Sequence, residues 1–341
     1  MGGGRTTHGP RVLVAVPLLA ERRHLLRPLA EAGFTPVFNE TGRFYDEAAL
    51  IRALPGAVAT IAGIEPYTAR VLRAAPELRV IARFGVGYDT VDLEAAHRHG
   101  VAVAMTFGAN HEAVADHAMA LIAALLQGLS AYDRRVRAGG WGTLFHPGVH
   151  GRTLGLVGFG RIGRATARRA LGFGMRVLAA DPAVPAAEMR RAGVEPVDLE
   201  TLFAEAEVVS LHAPLTPATR HLVNAARLSR MRPGAYLVNT ARGGLVDERA
   251  LVAALREGRL AGVALDVFEE EPLPGDSPLR SLDGVILTPH VAGLGEEAVA
   301  RMTEVCIDNI LRILRGEEPP EGRLLTPAVP RRAGGGSTEP A

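Results

Sequence analysis

The stretch VGFGRIG, residues 157–163, constrains this chain more than any other. Gly158, Gly160 and Gly163 follow the apolar run LGLV and open IGRATARRA, which carries a helical pattern. A strand that feeds a helix through three glycines is built to receive a pyrophosphate. Gly158 permits the tight turn, Gly160 lets the backbone approach the phosphates, and Gly163 lets helix and strand pack closely. The phosphates then rest on N–H groups at the helix N-terminus. The next apolar run, MRVLAA, ends in Asp181, at roughly the 20-residue spacing at which an acid meets the ribose hydroxyls. Asp181 would repel a 2′-phosphate, and Pro182 and Ala183 offer no Arg to receive one, so NAD is expected rather than NADP. Flavin and S-adenosylmethionine sites share parts of this pattern, so the motif alone leaves the chemistry open.

Such units often open a protein, whereas this one begins near the middle. Upstream, the strand-like runs RVLVAVP, TPVFN, AVATIAG, RVIARFG and VAVAM alternate with the helical HLLRPLAEAG, DEAALIRAL, TARVLRAAP and TVDLEAAHRHG. That alternation predicts βαβ units on a parallel sheet. One long helix is expected from Asn110, as its N-cap, through HEAVADHAMALIAALLQGLSAYDRRVRAGG. A second βαβ series starts at Thr153 and continues to VILTPH, before a last helix, GEEAVARMTEVCIDNILRILRGEEP. The ends, residues 1–9 and 331–341, are polar and glycine-rich and are expected to be disordered.

Composition narrows the function classes. A chain of 341 residues predicts two domains. The net charge is +1 and no dense basic stripe exists, which argues against nucleic acid as a partner. All 38 basic residues are Arg, which we attribute to the base composition of the gene. Cys306 is the only cysteine, so no internal disulfide forms, and its apolar surroundings predict a core position. MGGGRTTHGP lacks an export pattern, and VLVAVPLLA and AMALIAALL are too short to span a bilayer. A cytoplasmic protein without membrane contact or a metal site is expected.

Three downstream segments could carry chemistry. VNTARGGLVDERAL places Arg242 after a strand, where ligands of open α/β sheets bind. An Arg there can clamp a carboxylate, or can simply cap the following helix. GVALDVFEEEP offers Asp266 and the acids Glu269 to Glu271, although three acids in a row usually form a solvated face. VILTPHVAGL places His290 after a strand, and a lone His is more often structural. Together they match alcohol-to-ketone redox at a 2-hydroxy acid: a cation for the acid group, a base for the hydroxyl proton, and a carboxylate to orient that base.

With these segments in place, the chain resembles the D-isomer-specific 2-hydroxyacid dehydrogenases, in their phosphoglycerate dehydrogenase-like subgroup. The resemblance covers about residues 11 to 325, through RFGVGYDTVD, VGFGRIG, LHAPLTPATRHLVN, VNTARGGLVDE, ALDVFEEEP and LTPH. It implies an α/β protein with two doubly wound parallel sheets, a Rossmann NAD-binding domain inserted into a flavodoxin-like substrate domain. The expected boundaries are 1–108 for the first part of the substrate domain and 109–294 for the NAD domain. The return helix then spans 295–325, and 326–341 form a tail. It implies that Arg242 binds the substrate carboxylate and polarises the carbonyl, that His290 is the acid/base, and that Glu271 pairs with it. Asp266 would meet the nicotinamide carboxamide. Arg161 and Ile162 would face the pyrophosphate, and Ala213, Thr240, Ala241 and Gly293 would line the cofactor. Val86 and Gly87 would cradle the substrate carboxylate. Catalysis would sit in an interdomain cleft, and a homodimer is implied, with the long helix and WGTLFHPG as arm elements.

The chain departs from the family pattern in places. Met105, Thr106 and Phe107 replace an NTP-like stretch, and Asp116 precedes His117 where Glu is common. The loop IAGIEPYT (61–68) offers Ala62, Glu65 and Pro66 where phosphoglycerate users carry basic residues, and Glu65 would repel phosphate. Glyoxylate, hydroxypyruvate or a larger apolar 2-keto acid are therefore the expected substrates. Phe44 and Tyr45 are candidates for pocket lining or for core packing. The rival readings are a dehydrogenase of formate or phosphite, an NAD-sensing corepressor-like protein, and a family member that binds NAD without chemistry.

Overall fold

The computed structural model describes residues 9–143 and 145–326. The predicted disordered ends lie outside the described residues, apart from Gly9. The described chain divides into two compact units. One runs to Asn110 and resumes at Glu296; the other is His111–Gly295.

The first unit holds five parallel strands: β1 (Arg11–Val14), β2 (Thr35–Phe38), β3 (Ala57–Ala62), β4 (Val80–Arg83) and β5 (Ala102–Met105). Their order is β2-β1-β3-β4-β5, so the winding reverses between β1 and β3. Side chains alternate across the sheet: Val12 and Val14 join the core under one face, and Leu13 joins the core under the other. The Glu296–Arg315 helix closes the first of these cores with Val299, Met302, Cys306 and Ile310. After it, the chain runs antiparallel beside β5, where Met105 N–H donates to the Arg323 carbonyl and Leu325 N–H to that of Val103. Thr326 therefore does not belong to a tail; it is buried and accepts the Val103 N–H.

The second unit holds β6 (Thr153–Val157), β7 (Arg176–Ala180), β8 (Glu195–Pro196), β9 (Val208–Leu211), β10 (Ala235–Asn239), β11 (Leu260–Leu265) and β12 (Val285–Leu287). They pair in parallel in the order β12-β11-β10-β9-β6-β7-β8. Helices cover both faces, which is why β6 and β9 are buried at every residue. The approach is close: a Cβ on Gly155 of β6 would lie 2.7 Å from a Leu202 methyl. Asp46, Thr68, Asp92, Asp198, Asn224 and Asp247 each start a helix by accepting a backbone N–H three residues on. Each such cap is worth about 1 kcal/mol.

The predicted long helix after Asn110 is two helices, His111–Leu126 and Leu129–Arg137, bent by 63°. Gly128 at the break has φ +62°, a left-handed residue that ends the hydrogen-bond ladder. Asn110 is not a side-chain cap, because its Oδ1 makes no hydrogen bond among the described residues. No single helix there is long and apolar enough to cross a membrane.

Candidate active site

The glycine turn follows β6, and β9 lies beside β6 where the strand order reverses. That switch point is where open α/β sheets bind ligands. Gly158 has φ +99°, and a Cβ on it would sit 2.7 Å from the His212 carbonyl carbon and 2.9 Å from the Ala213 nitrogen. A Cβ on Gly163 would collide with the Gly158 carbonyl. Gly160 faces open space and starts the Arg161–Gly172 helix without a side-chain cap, so Arg161 and Ile162 lie on its first turn. Asp181 directly follows β7, and its oxygens accept the Phe159 N–H at 2.7 Å and the Ala183 N–H at 2.9 Å. Lone pairs remain on both oxygens for hydroxyl donors. Thr240 is buried after β10, and its hydroxyl has no hydrogen-bond partner among the described residues. Ala213, Ala241 and Gly293 all lie in loops just beyond strand ends of this sheet. These features fit a dinucleotide with a free adenosine ribose.

β10, β11 and β12 are neighbours in the sheet, so the segments after them emerge side by side. They carry Arg242, Asp266 with Glu271, and His290. His290 Nδ1 lies 2.7 Å from Glu271 Oε2. The other oxygen of Glu271 accepts the Phe268 N–H at 3.0 Å, so the carboxylate is held from both sides. A charge-assisted bond of this kind sets the ring's orientation and tautomer and leaves Nε2 to meet a substrate. The backbone of His290 has φ +56°, a conformation that non-glycine residues adopt at a cost. Asp266 holds it there. Its carbonyl accepts the His290 N–H at 2.7 Å, and its side chain accepts the Val291 and Ala292 N–H groups at 2.9 Å each. The Thr288 hydroxyl adds a fourth bond at 2.6 Å. What the structure shows for buried Asp266 is anchorage of the His290 loop.

Arg242 is positioned by a similar device. Asn239, buried at the end of β10, donates from its side chain to the Arg242 carbonyl at 2.8 Å and accepts the Ala241 N–H at 3.0 Å. Gly243 then packs on the Phe268–Glu269 backbone so tightly that any Cβ would collide with it. The Arg242 loop is thus seated on the segment that carries Glu271.

Several participants were not legible in sequence. His117 Nε2 lies 3.1 Å from the Thr288 hydroxyl, extending the Asp266 network. Asp116 pairs with Arg169. Glu269, in the run expected to be a solvated face, pairs with His221 at 2.5 Å and donates its N–H to Glu248. His212 bonds Ser210, and although it keeps some accessible surface, burial of its ring pushes its pKa down to about 4. Only the LHAP context could have marked it.

In the first unit, Val86 and Gly87 follow β4. Arg83 Nε donates to the Gly87 carbonyl at 2.8 Å, and Thr106 accepts the Gly85 N–H at 2.9 Å. Thr106 therefore shapes this loop.

Residues 119–292 match the family model for the NAD-binding domain of D-isomer-specific 2-hydroxyacid dehydrogenases. A glyoxylate reductase of Korarchaeum cryptofilum is 47% identical over 262 residues, which cover 75% of this chain and 79% of that protein. An (S)-sulfolactate dehydrogenase of Chromohalobacter salexigens is 44% identical over 273 residues, covering 79% and 88%. The D-lactate dehydrogenase of Aquifex aeolicus, solved with NAD and lactic acid, superposes with a TM-score of 0.81 at 29% identity, covering 92% of this chain and 98% of that one. The chain belongs to the D-isomer-specific 2-hydroxyacid dehydrogenases and is an NAD-dependent oxidoreductase of that family.

Proposed function

We propose that the protein reduces a small 2-keto acid with one carboxylate, of the glyoxylate and hydroxypyruvate class, to the 2-hydroxy acid with NADH. The observation that carries this reading is the His290–Glu271 pair, which leaves one imidazole nitrogen for a substrate oxygen. The nicotinamide supplies the hydride when bound. Gly158, Gly160, Arg161, Ile162 and Gly163 would hold the pyrophosphate, and Asp181 the ribose. Asp266 would use its remaining acceptor capacity for the carboxamide, and Ala213, Thr240, Ala241 and Gly293 would line the cofactor. Arg242 would bind the substrate carboxylate and polarise the carbonyl. As the carbonyl carbon gains hydride, its oxygen takes the proton from His290 Nε2, and Glu271 stabilises the imidazolium before that transfer. We assign the exposed Leu129, Val136 and Trp141, the last 88% accessible, to contact with a second copy of the chain.

NADH oxidation against glyoxylate, hydroxypyruvate, pyruvate, longer and aromatic 2-keto acids and phosphohydroxypyruvate, repeated with NADPH, tests the proposal. Turnover of the small acids with NADH is the expected result. Silence across the panel in a protein that binds NADH would overturn it in favour of formate, phosphite or a sensing role.

A further inference from the structure

Among the described residues, two that are not glycine have a left-handed backbone: His290, at φ +56°, and His221, at φ +49°. Such residues cost energy to hold and concentrate at working sites. Both are paired with a glutamate of the same short segment. His290 meets Glu271, and His221 Nε2 lies 2.5 Å from Glu269 Oε1. Both side chains of the second pair are about one third exposed, so solvent screens the attraction and little stability comes from it. What the pair supplies is a fixed position.

His221 touches both loops that carry candidate catalytic groups. Its N–H donates to the Gly244 carbonyl at 2.9 Å, two residues past Arg242. Its ring holds Glu269, two residues before Glu271. Gly243 is pressed against the Phe268–Glu269 backbone between them. Glu269 is otherwise in acidic company. Its own N–H donates to Glu248 Oε1 at 2.6 Å, and burial raises the Glu248 pKa, with the charges of Glu269 and Glu271 raising it further. The other cation near Glu269 is Arg220, more exposed and 3.9 Å away, beyond hydrogen-bond distance. Without the His221 ring, repulsion from Glu248 and Glu271 would turn Glu269 out to water and loosen the backbone on which Glu271 rides.

We propose that His221 is a positioning residue for reduction of the keto acid: its bond to Glu269 fixes the 268–271 segment so that Glu271 stays on His290 Nδ1. The inference rests on the keto-acid reading given above. With Glu271 displaced, the imidazolium that delivers the proton to the carbonyl oxygen loses its counter-charge, and the ring is free to turn. The chemical step slows, whereas substrate binding, which draws on Arg242, changes less.

The test uses the full chain with NADH and the fastest acid of the 2-keto acid panel. Asn tolerates a left-handed backbone but is too short to reach Glu269, so His221→Asn removes the bond and leaves the turn. Its kcat should fall about tenfold, with KM for the keto acid and NADH affinity within about twofold. The loss of rate at high pH, where the acid has given up its proton, should begin about one pH unit lower than in the wild type. Glu269→Ala should reproduce both changes, and the double variant should lose no more than either single one. Glu269→Gln keeps an oxygen that can accept from the ring and should recover most of the kcat lost in Glu269→Ala. Additive losses, or a slower rate with the pH profile unmoved, would overturn the inference, since both describe a role in packing only. Rates within about twofold of wild type in both single variants would overturn it as well. All of these outcomes leave the keto-acid reading standing while the wild type turns over; a wild type inactive across the panel overturns both. Glu269 lies outside the left-handed turn, so its two variants carry the test if His221→Asn does not fold.

Discussion

Replacing Glu65 by Gln removes one negative charge and almost no volume, so stability can report its ionisation without any substrate. In the folded chain the carboxyl holds its proton to about 7, against an ordinary value of 4.5. Between those two values the unfolded chain binds fewer protons than the folded one, so stability falls as pH rises. The contribution is complete below the ordinary value and lost once pH passes the folded one. Each unit of separation is worth about 1.4 kcal/mol, so the loss is about 3 kcal/mol. Gln cannot titrate and escapes it. Urea unfolding followed by circular dichroism, from about pH 4.5 to about pH 8, should show the variant gaining about 3 kcal/mol on the wild type. Other titrating groups are shared by both proteins and cancel in the difference. Two stability profiles that run parallel across this range would refute the reasoning, because they would mean that Glu65 ionises in the folded chain as it does in water.

His212 should act in the opposite direction: its depressed pKa gives stability that is present above its ordinary value of 6.5 and lost as pH falls through about 4, and His212→Gln should flatten that acid limb in the same urea series. On the proposed reaction, His290→Ala should lower kcat by about a thousandfold and leave NADH affinity within about twofold, read by stopped-flow and by nicotinamide fluorescence. Arg242→Lys keeps the charge but loses the planar fork, so KM for glyoxylate should rise about tenfold or more, and an unchanged KM would remove the guanidinium from carboxylate binding. Gly243→Ala should disturb both loops at once, raising KM and lowering kcat together, since its Cβ has nowhere to go but into the Phe268–Glu269 backbone.

The strand and helix alternation was legible because a parallel sheet covered on both faces writes its strands as unbroken apolar runs, such as LGLV and VVSL. The glycine turn was legible because its steric demand is local. Arg242 and His290 stood out by chemistry and by position after strands, and Glu271 through the family resemblance. The bend at Gly128 was not, since one glycine inside a long helical pattern looks tolerable until its left-handed φ is seen. Asp266 was expected to meet a cofactor, and its four bonds to the His290 loop depend on residues more than twenty positions away. Glu269 looked solvated for the same reason: His221 reaches it only through the folded chain. Local periodicity carries secondary structure, whereas partners of buried polar groups are set by tertiary approach.

The return of the chain to its first unit has a consequence for synthesis. Val299, Met302, Cys306 and Ile310 fill one face of the core built on β1, β3 and β4. A ribosome that has made the first five strands has therefore made a sheet with one side only partly covered, by Leu19, Leu26 and Leu29. The second unit, His111–Gly295, is complete before that side is covered. Domains fold as units during translation, N-terminal first where each is contiguous. Here the order is inverted: the middle of the chain can finish while the beginning waits for the end.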